Sequence, residues 1–403
     1  MNKKQNKNIT FDGLGIAPKI IEVLDKLKFK HPTPIQHKAI PIAIEGTDII
    51  GVAQTGTGKT LAFTIPVVQQ LARNMARCLL LVPTRELAIQ VNETFQKIAP
   101  KFGISTAVII GGASMNLQLK ALKKNPRVII ATPGRLLDHM KQKTMNLKGV
   151  EILILDEADR MLDMGFKPDI ERILKATPKK RQTMLFSATI PPAIVSIGTM
   201  HMKLPIHVEV APSGTAAERI VQELFIVKRE DKKKLLGKLL DQYRGSVLIF
   251  SRTKRGATKI KRMIKQMGHK AAEIHSDRTL GQRREALEGF KKGKYRILVA
   301  TDIAARGIDV VGIETVINYD IPDDAENYVH RIGRTGRAGH EGRAISFATS
   351  EQGKDIKSIE NIIKTALPIS EHPEIASEKF VTKTLFTSRS RGGRRRNVPR
   401  RRR

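Results

Sequence analysis

An α/β chain of two tandem domains, each a parallel sheet flanked by helices, is the fold this sequence predicts. Three observations carry it. Short β-branched and aliphatic runs alternate with longer amphipathic stretches along most of the chain. The alternation breaks once, at "EVAPSGTAA" (209–217), and then resumes. At 403 residues the chain is long for one core, and an apolar content of 40% is enough for two.

Residues 1–208 read as the first domain. A polar leader, "MNKKQNKNIT", opens it and lacks the apolar centre of a signal peptide. The strand candidates follow as "DIIGVA", "CLLLVP", "STAVII", "RVIIAT", "VEILIL" and "TMLFSA". Residues 209–217 read as a linker and 218–368 as the second domain, with "LFIVK", "SVLIFS", "KAAEIH", "RILVAT", "TVINYD" and "AISFAT". The halves share a rhythm without an obvious sequence repeat. Residues 369–403 read as a basic tail, polar and then arginine-rich, whose end is expected to be disordered. No run approaches the ~18 apolar residues of a membrane span, so a cytoplasmic chain with no membrane partner is expected. The single cysteine, Cys78, lies in an apolar run and reads as a buried structural thiol.

The formal charge is +33, from 72 basic and 39 acidic residues. Residues 387–403 hold nine arginines and no acid; taking them away still leaves +24 on the remainder. A neutral metabolite does not call for such an excess, whereas a polyanion does.

"AQTGTGKT" (53–60) sits between the strand candidate "DIIGVA" and a helical stretch. A glycine-containing turn there, made by Thr55, Gly56, Thr57 and Gly58, offers backbone N–H groups and a helix N-terminus to an anion. Lys59 is positioned to reach β- and γ-phosphates, and the Thr60 hydroxyl to bind Mg²⁺. The strict pattern begins with glycine; here Ala53 stands in its place. The second half of such a site is "VEILILDEAD", an apolar strand ending in acids. Asp156, at the ligand-binding edge of a parallel sheet, would hold the metal. Glu157 would orient and deprotonate an attacking water. Together they read as a nucleoside-triphosphate hydrolase site.

With these motifs the chain resembles the DEAD-box ATP-dependent RNA helicases of superfamily 2, over about residues 11–366, and most of all their compact bacterial subgroup. The resemblance implies two RecA-like domains, ATP and Mg²⁺ as ligands, and RNA as partner. It implies that Gln36 of "HPTPIQ" reads the adenine edge and that Phe11 stacks on the base. Lys28 departs from the family's usual glycine, and Leu280 from its usual glutamine three residues before an arginine, here Arg283. "PTRELA", Gly111-Gly112 and "TPGR" imply RNA contacts by Thr84, Arg85, Gly112, Thr132 and Arg135. Arg252 and Thr301 join them from the second domain, while Gly307 and Asp309 face the ribose. Arg334 and Arg337 of "HRIGRTGR" match the arginine fingers that neutralise γ-phosphoryl charge. Ser187 and Thr189 of "SAT", with Asp159 and His330, match the residues that couple nucleotide state to RNA grip.

The second half has no second phosphate loop, so one ATP site between the domains is expected, completed by closure and gated by ATP and RNA together. Two rivals stand beside local unwinding of short duplexes. One is an ATP-gated RNA clamp or annealing chaperone with slow turnover; the other is a DNA translocase, separated by its stimulation by DNA. The tail reads as an RNA tether. A monomer acting on ribosomal or mRNA-decay complexes completes the expectations.

Overall fold

The computed structural model describes residues 9–54, 56–210, 220–305, 310, 312–336 and 341–381. Thr55, Gly307, Asp309, Arg337, most of the expected linker and the arginine-rich run all lie outside them.

The first half runs α1 (Pro18–Lys26), α2 (Pro34–Ile44), β1 (Ile49–Val52), α3 (Lys59–Leu71), β2 (Arg77–Leu81), α4 (Arg85–Ile98), β3 (Thr106–Ile109), α5 (Met115–Lys123), β4 (Val128–Ala131), α6 (Pro133–Lys141), β5 (Val150–Leu155), α7 (Ala158–Asp163), α8 (Lys167–Ala176), β6 (Gln182–Ser187), α9 (Pro192–His201) and β7 (Ile206–Glu209). Its strands form one parallel sheet in the order β3-β4-β2-β5-β6-β1-β7.

The second half runs β8 (Ile220–Ile226), α10 (Lys232–Gln242), β9 (Val247–Phe250), α11 (Lys254–Gln266), β10 (Ala271–Ile274), α12 (Leu280–Lys291), β11 (Ile297–Ala300), α13 (Asp302–Ala305), β12 (Thr315–Asn318), α14 (Ala325–Ile332), β13 (Gly342–Ala348) and α15 (Gly353–Ile363). Its sheet, also parallel, is ordered β10-β11-β9-β12-β13-β8.

The alternation of side chains along each strand divides the apolar residues between two cores. In β2, Cys78 and Leu80 point to one core of the first sheet, Leu79 and Leu81 to the other. Burial on both faces explains why these strands read as continuous apolar runs. Gly51 is demanded by the sheet itself, because a Cβ there would stand 2.6 Å from the Phe186 ring on the neighbouring strand. Cys78 is fully buried and its thiol is pushed up by desolvation, as a structural thiol should be. Among the described residues no helix is long and apolar enough to cross a membrane.

Three local features depart from the sequence reading. β7 is a seventh strand in the first sheet; only Val208 of its four residues is buried, so its apolar signal is thin. Residues 369–381 are not detached from the second unit. Ile369 bridges to Leu224, the Glu378 N–H donates to the Ile226 carbonyl at 2.8 Å, and Phe380 packs on the core around β8 and α15. The segment covers edge strand β8, whose polar groups would otherwise go unpaired. Lys28 takes the left-handed conformation (φ +63°) just after α1, so the turn is retained in spite of the side chain.

Candidate active site

Strand order alone sorts the loops at the carboxyl edge of the first sheet into two groups. β5, β6 and β1 are consecutive, so the loops beginning at Asp156, Ala188 and Ala53 are neighbours. β3, β4 and β2 are consecutive on the other half, bringing together the loops at Ile110, Thr132 and Val82. Ligands of open parallel sheets bind at this edge. The phosphate-loop and acidic residues expected to hold the nucleotide's phosphates and metal fall in the first group, and the first domain's expected RNA contacts in the second.

Gly56 and Gly58 have φ of +84° and +93°, which only glycine adopts without strain. A Cβ on Gly58 would also collide with the Gln36 amide and stand 2.9 Å from Thr33 Oγ1. Gln36 is buried and joins helix to loop. Its Oε1 accepts from the Thr33 N–H at 2.9 Å, and its Nε2 donates to the Gly58 carbonyl at 3.0 Å. Lys59 lies beneath the loop and donates to the Ala53 carbonyl at 2.7 Å; Thr57 Oγ1 donates to the Gln54 carbonyl at 2.7 Å. Ala53 needs no left-handed backbone, so the missing glycine costs the loop nothing. Thr60 starts α3 beside Lys59 and is half-buried. Phe11 is 4% exposed and packs within the first core.

Asp156 and Glu157 follow β5 and are both buried. Burial pushes Asp156 up to about 7, against the pull of Lys59 and with a further push from Glu157. Glu157 behaves oppositely. Burial would raise it, but Arg160, Lys59 and Arg334 outweigh that and hold it below the usual carboxylate range. Its backbone is left-handed (φ +51°), a conformation costing a non-glycine residue about 1–2 kcal/mol. The result is an ionised glutamate beside an aspartate that titrates near neutrality.

Asp159 connects this strand to the next. Its Oδ2 accepts from the Ala188 N–H (3.0 Å), the Thr189 N–H (2.9 Å) and Thr189 Oγ1 (3.0 Å), while its own N–H donates to Ser187 Oγ at 3.3 Å. Burial opposes ionisation of Asp159, but Lys59 and these hydrogen bonds keep it low.

The second unit meets these acids through α14. Arg334 is 3% exposed, donates from Nε to the His330 carbonyl at 3.2 Å, and its charge acts on Glu157. Burial pushes His330 down to about 4; Arg160 and Arg334 add to the effect, Asp159 and Glu157 oppose it. Ser187, Thr189, Asp159 and His330 are therefore one continuous constellation.

On the other half, Thr84 caps α4 by accepting from the Leu87 N–H at 3.3 Å. The Arg85 guanidinium lies over Gly112, where φ is +73° and a Cβ would collide with it. Thr132 is the N-cap residue of α6, and Arg135 Nη1 donates to the Ala113 carbonyl at 3.1 Å. Arg85 and Arg135 thus converge on residues 112–113. In the second unit, Arg252 and Thr301 follow neighbouring strands β9 and β11. Arg252 donates to the Ile321 carbonyl at 3.1 Å and faces Asp323 at 3.2 Å.

Sequence reasoning missed Arg160, Arg331 and Glu86, the partner of Arg283. Arg160 pairs with Glu157 in a buried contact, three residues on in "DEADR". Arg331, between His330 and Arg334, is 1% exposed and grips Asp302 with both arms of its guanidinium at 2.6 and 2.7 Å. Glu86 and Arg283 form a buried ion pair at 2.8 Å between the two units. The i, i+3 spacing could have flagged the first; the others become visible only through burial. A cleft of about 1150 Å³ opens at the opposite, amino edge of the first sheet, beside Asp48, Gln182 and Lys203, and touches none of this chemistry.

Comparison with known proteins agrees with this geometry. The family model described as DEAD/DEAH box helicase matches residues 33–197, and the helicase conserved C-terminal domain matches 231–339. The chain is 45% identical over 359 residues to the ATP-dependent RNA helicase CshA of Listeria monocytogenes, covering 88% of this chain and 69% of that one. It is 42% identical to the ATP-dependent rRNA helicase RRP3 of Meyerozyma guilliermondii, over 90% of this chain and 78% of that one. Among solved structures, Saccharomyces cerevisiae Dbp5 bound to RNA and ADP-BeF3 superposes with a TM-score of 0.79 at 32% identity, covering 89% of this chain and 95% of that chain. A DEAD-box protein from Methanococcus jannaschii gives 0.53 at 38% identity, covering 90% and 99%.

Proposed function

The chain belongs to the DEAD-box family of ATP-dependent RNA helicases, and from that premise we propose how its own residues divide the work. The protein is an RNA-stimulated ATPase; the assignment of roles is our reading of the geometry. The observation that carries it is the meeting of buried Glu157, Asp159 and Arg160 from the first unit with half-buried His330 and buried Arg334 from the second.

Gly56, Thr57, Gly58 and Lys59, with Thr55, cradle the phosphates of ATP, and Gln36 reads the adenine while bracing the loop through Gly58. Phe11 packs near the base, and Gly307 and Asp309 meet the ribose. Asp156 and Thr60 are the groups that would hold Mg²⁺. An all-oxygen set with one buried carboxylate suits a hard cation that keeps water and phosphate ligands. When bound, the metal neutralises charge on the phosphates. Glu157, kept ionised by Arg160, Lys59 and Arg334, accepts the proton of the attacking water. Arg334, with Arg337, neutralises charge on the transferring γ-phosphoryl group. The site is complete only when both units contribute, so closure gates turnover.

Thr84, Arg85, Gly112, Thr132 and Arg135 contact the RNA backbone from the first unit, and Arg252 and Thr301 from the second. The sheet order supports this split, because it groups the loops assigned to RNA on one half of the carboxyl edge and the loops assigned to ATP on the other. Asp159, Ser187, Thr189 and His330 link the two halves. Hydrolysis reopens the cleft, which yields local unwinding or remodelling rather than a static clamp; intact Glu157 and Arg334 favour turnover. The arginine-rich tail tethers RNA. Action on ribosomal complexes draws support from the word rRNA in the name of the yeast relative, with mRNA-decay complexes as a second destination; a cytoplasmic monomer is the form we assign to it.

The test is the steady-state ATPase rate without nucleic acid, with single-stranded RNA and with matched DNA. Large stimulation by RNA alone is expected. Equal stimulation by DNA would overturn the assignment of RNA-selective closure.

A further inference from the structure

α12 of the second unit meets α4 of the first through an ion pair, on the half of the cleft assigned to RNA. Leu280 opens α12, between the capping residues Thr279 and Gln282, and Arg283 follows one turn later. Leu280 is half-buried and packs against the core of the first unit, crossing the boundary between them. Arg283 is 7% exposed and pairs with Glu86 at 2.8 Å, also across the boundary. Arg85, next to Glu86 in the chain, acts electrostatically on both members of the pair, so this seam adjoins the RNA contacts.

The chemistry of the two contacts differs. An ion pair withdrawn from water returns little net energy, because desolvating both charges offsets their attraction. An aliphatic side chain returns free energy simply by leaving water, with no ligand and no hydrogen-bond partner. A polar residue at position 280 would need such a partner in the closed state.

We propose that Leu280 is a positioning residue for closure: its apolar contact with the first unit stabilises the closed arrangement independently of RNA. The chain therefore hydrolyses ATP measurably without RNA and needs less RNA to reach its full rate. This rests on the reading that closure of the two units completes one ATP site. Leu280 touches neither nucleotide nor RNA; it sets how much of the closing is done before RNA arrives.

The experiment compares Leu280→Gln with the unsubstituted chain. Loss of half-buried apolar area predicts an RNA-free ATPase rate lower by about fivefold and a half-saturating RNA concentration higher by a similar factor. The rate at saturating RNA stays within about twofold, since RNA can then supply the closing energy. Leu280→Met, of similar volume, restores both values. The thermal midpoint stays unchanged in both variants, which separates closure from folding. An unchanged RNA-free rate and half-saturation, failure of Leu280→Met to restore them, or a loss confined to the saturated rate would each overturn the proposal. Arg334→Ala is measured alongside. Retained full activity in that variant would remove the shared ATP site itself, whereas its inactivity with an unaffected Leu280→Gln removes only the seam.

Discussion

Replacing Arg331 tests how Arg334, just beyond α14, is aimed. Arg331 is 1% exposed. Its guanidinium holds Asp302 at 2.6 and 2.7 Å, the Asn318 side chain at 3.1 Å and the Asp320 carbonyl at 2.6 Å, and lies 5.0 Å from the Phe250 ring centre. Breaking one side of a buried ion pair costs about 3–5 kcal/mol. The Asp302 side chain keeps 23% exposure, so water can solvate it, and Arg331→Met falls at the lower end, ~3 kcal/mol. Arg331→Lys recovers one ionic contact but not the fork, leaving a loss of ~2 kcal/mol. In a unit of this size each kcal/mol moves the midpoint by about 2–4 °C. Thermal unfolding followed by circular dichroism should show the second unit's transition falling by about 6–12 °C for Arg331→Met and about 4–8 °C for Arg331→Lys. The ATPase rate at saturating RNA, measured well below those midpoints, should fall too, because Arg334 and His330 share the helix end that Arg331 anchors. Midpoints within 2 °C of the parent would refute the argument that this network holds α14.

Three further outcomes are expected. Glu157→Gln should retain ATP and RNA binding but fail to release the closed complex; rapid multiple turnover, followed by phosphate release, would remove Glu157 from the chemistry. His330 is half-buried among Glu157, Asp159, Arg160, Asp302, Arg331 and Arg334, and desolvation, with Arg160 and Arg334, pushes it down to about 4 from an ordinary 6.5. The closed state therefore binds fewer protons than an open state that exposes the ring. Closure keeps its full strength above about pH 6.5 and weakens as pH falls toward 4. RNA affinity in the presence of a non-hydrolysable ATP analogue should follow that course, and His330→Gln should flatten it. Deleting 387–403, with its nine arginines, should weaken RNA binding and reduce its salt slope while sparing the RNA-saturated ATPase rate; an unchanged slope in a salt titration contradicts the tether.

The parts of this molecule that show in its sequence are those where chemistry forces residue type. Twelve strand candidates match described strands because burial on both sheet faces writes long apolar runs. The phosphate loop was legible because Gly56 and Gly58 need left-handed backbone and Lys59 needs a strand–turn–helix around it. β7 escaped because a sheet edge with one buried residue carries almost no hydrophobic pattern. Arg331 escaped because a buried arginine and an exposed one are written alike, and only the meeting of α13, β12 and α14 around it makes the difference. The packing of Phe11 within the first core escaped too, because a single aromatic beside a polar leader carries no periodic pattern. The Glu86–Arg283 pair joins residues almost two hundred positions apart and depends on how the units meet.

The most direct test of the central claim, one ATP site shared by two units and closed by both ligands, is reciprocal binding. RNA affinity is measured with and without a non-hydrolysable ATP analogue, and analogue affinity with and without RNA. The account predicts that each ligand tightens the other by the same factor, on the order of 5–150-fold. Affinities that do not change in either direction would mean that ATP and RNA do not close the same cleft.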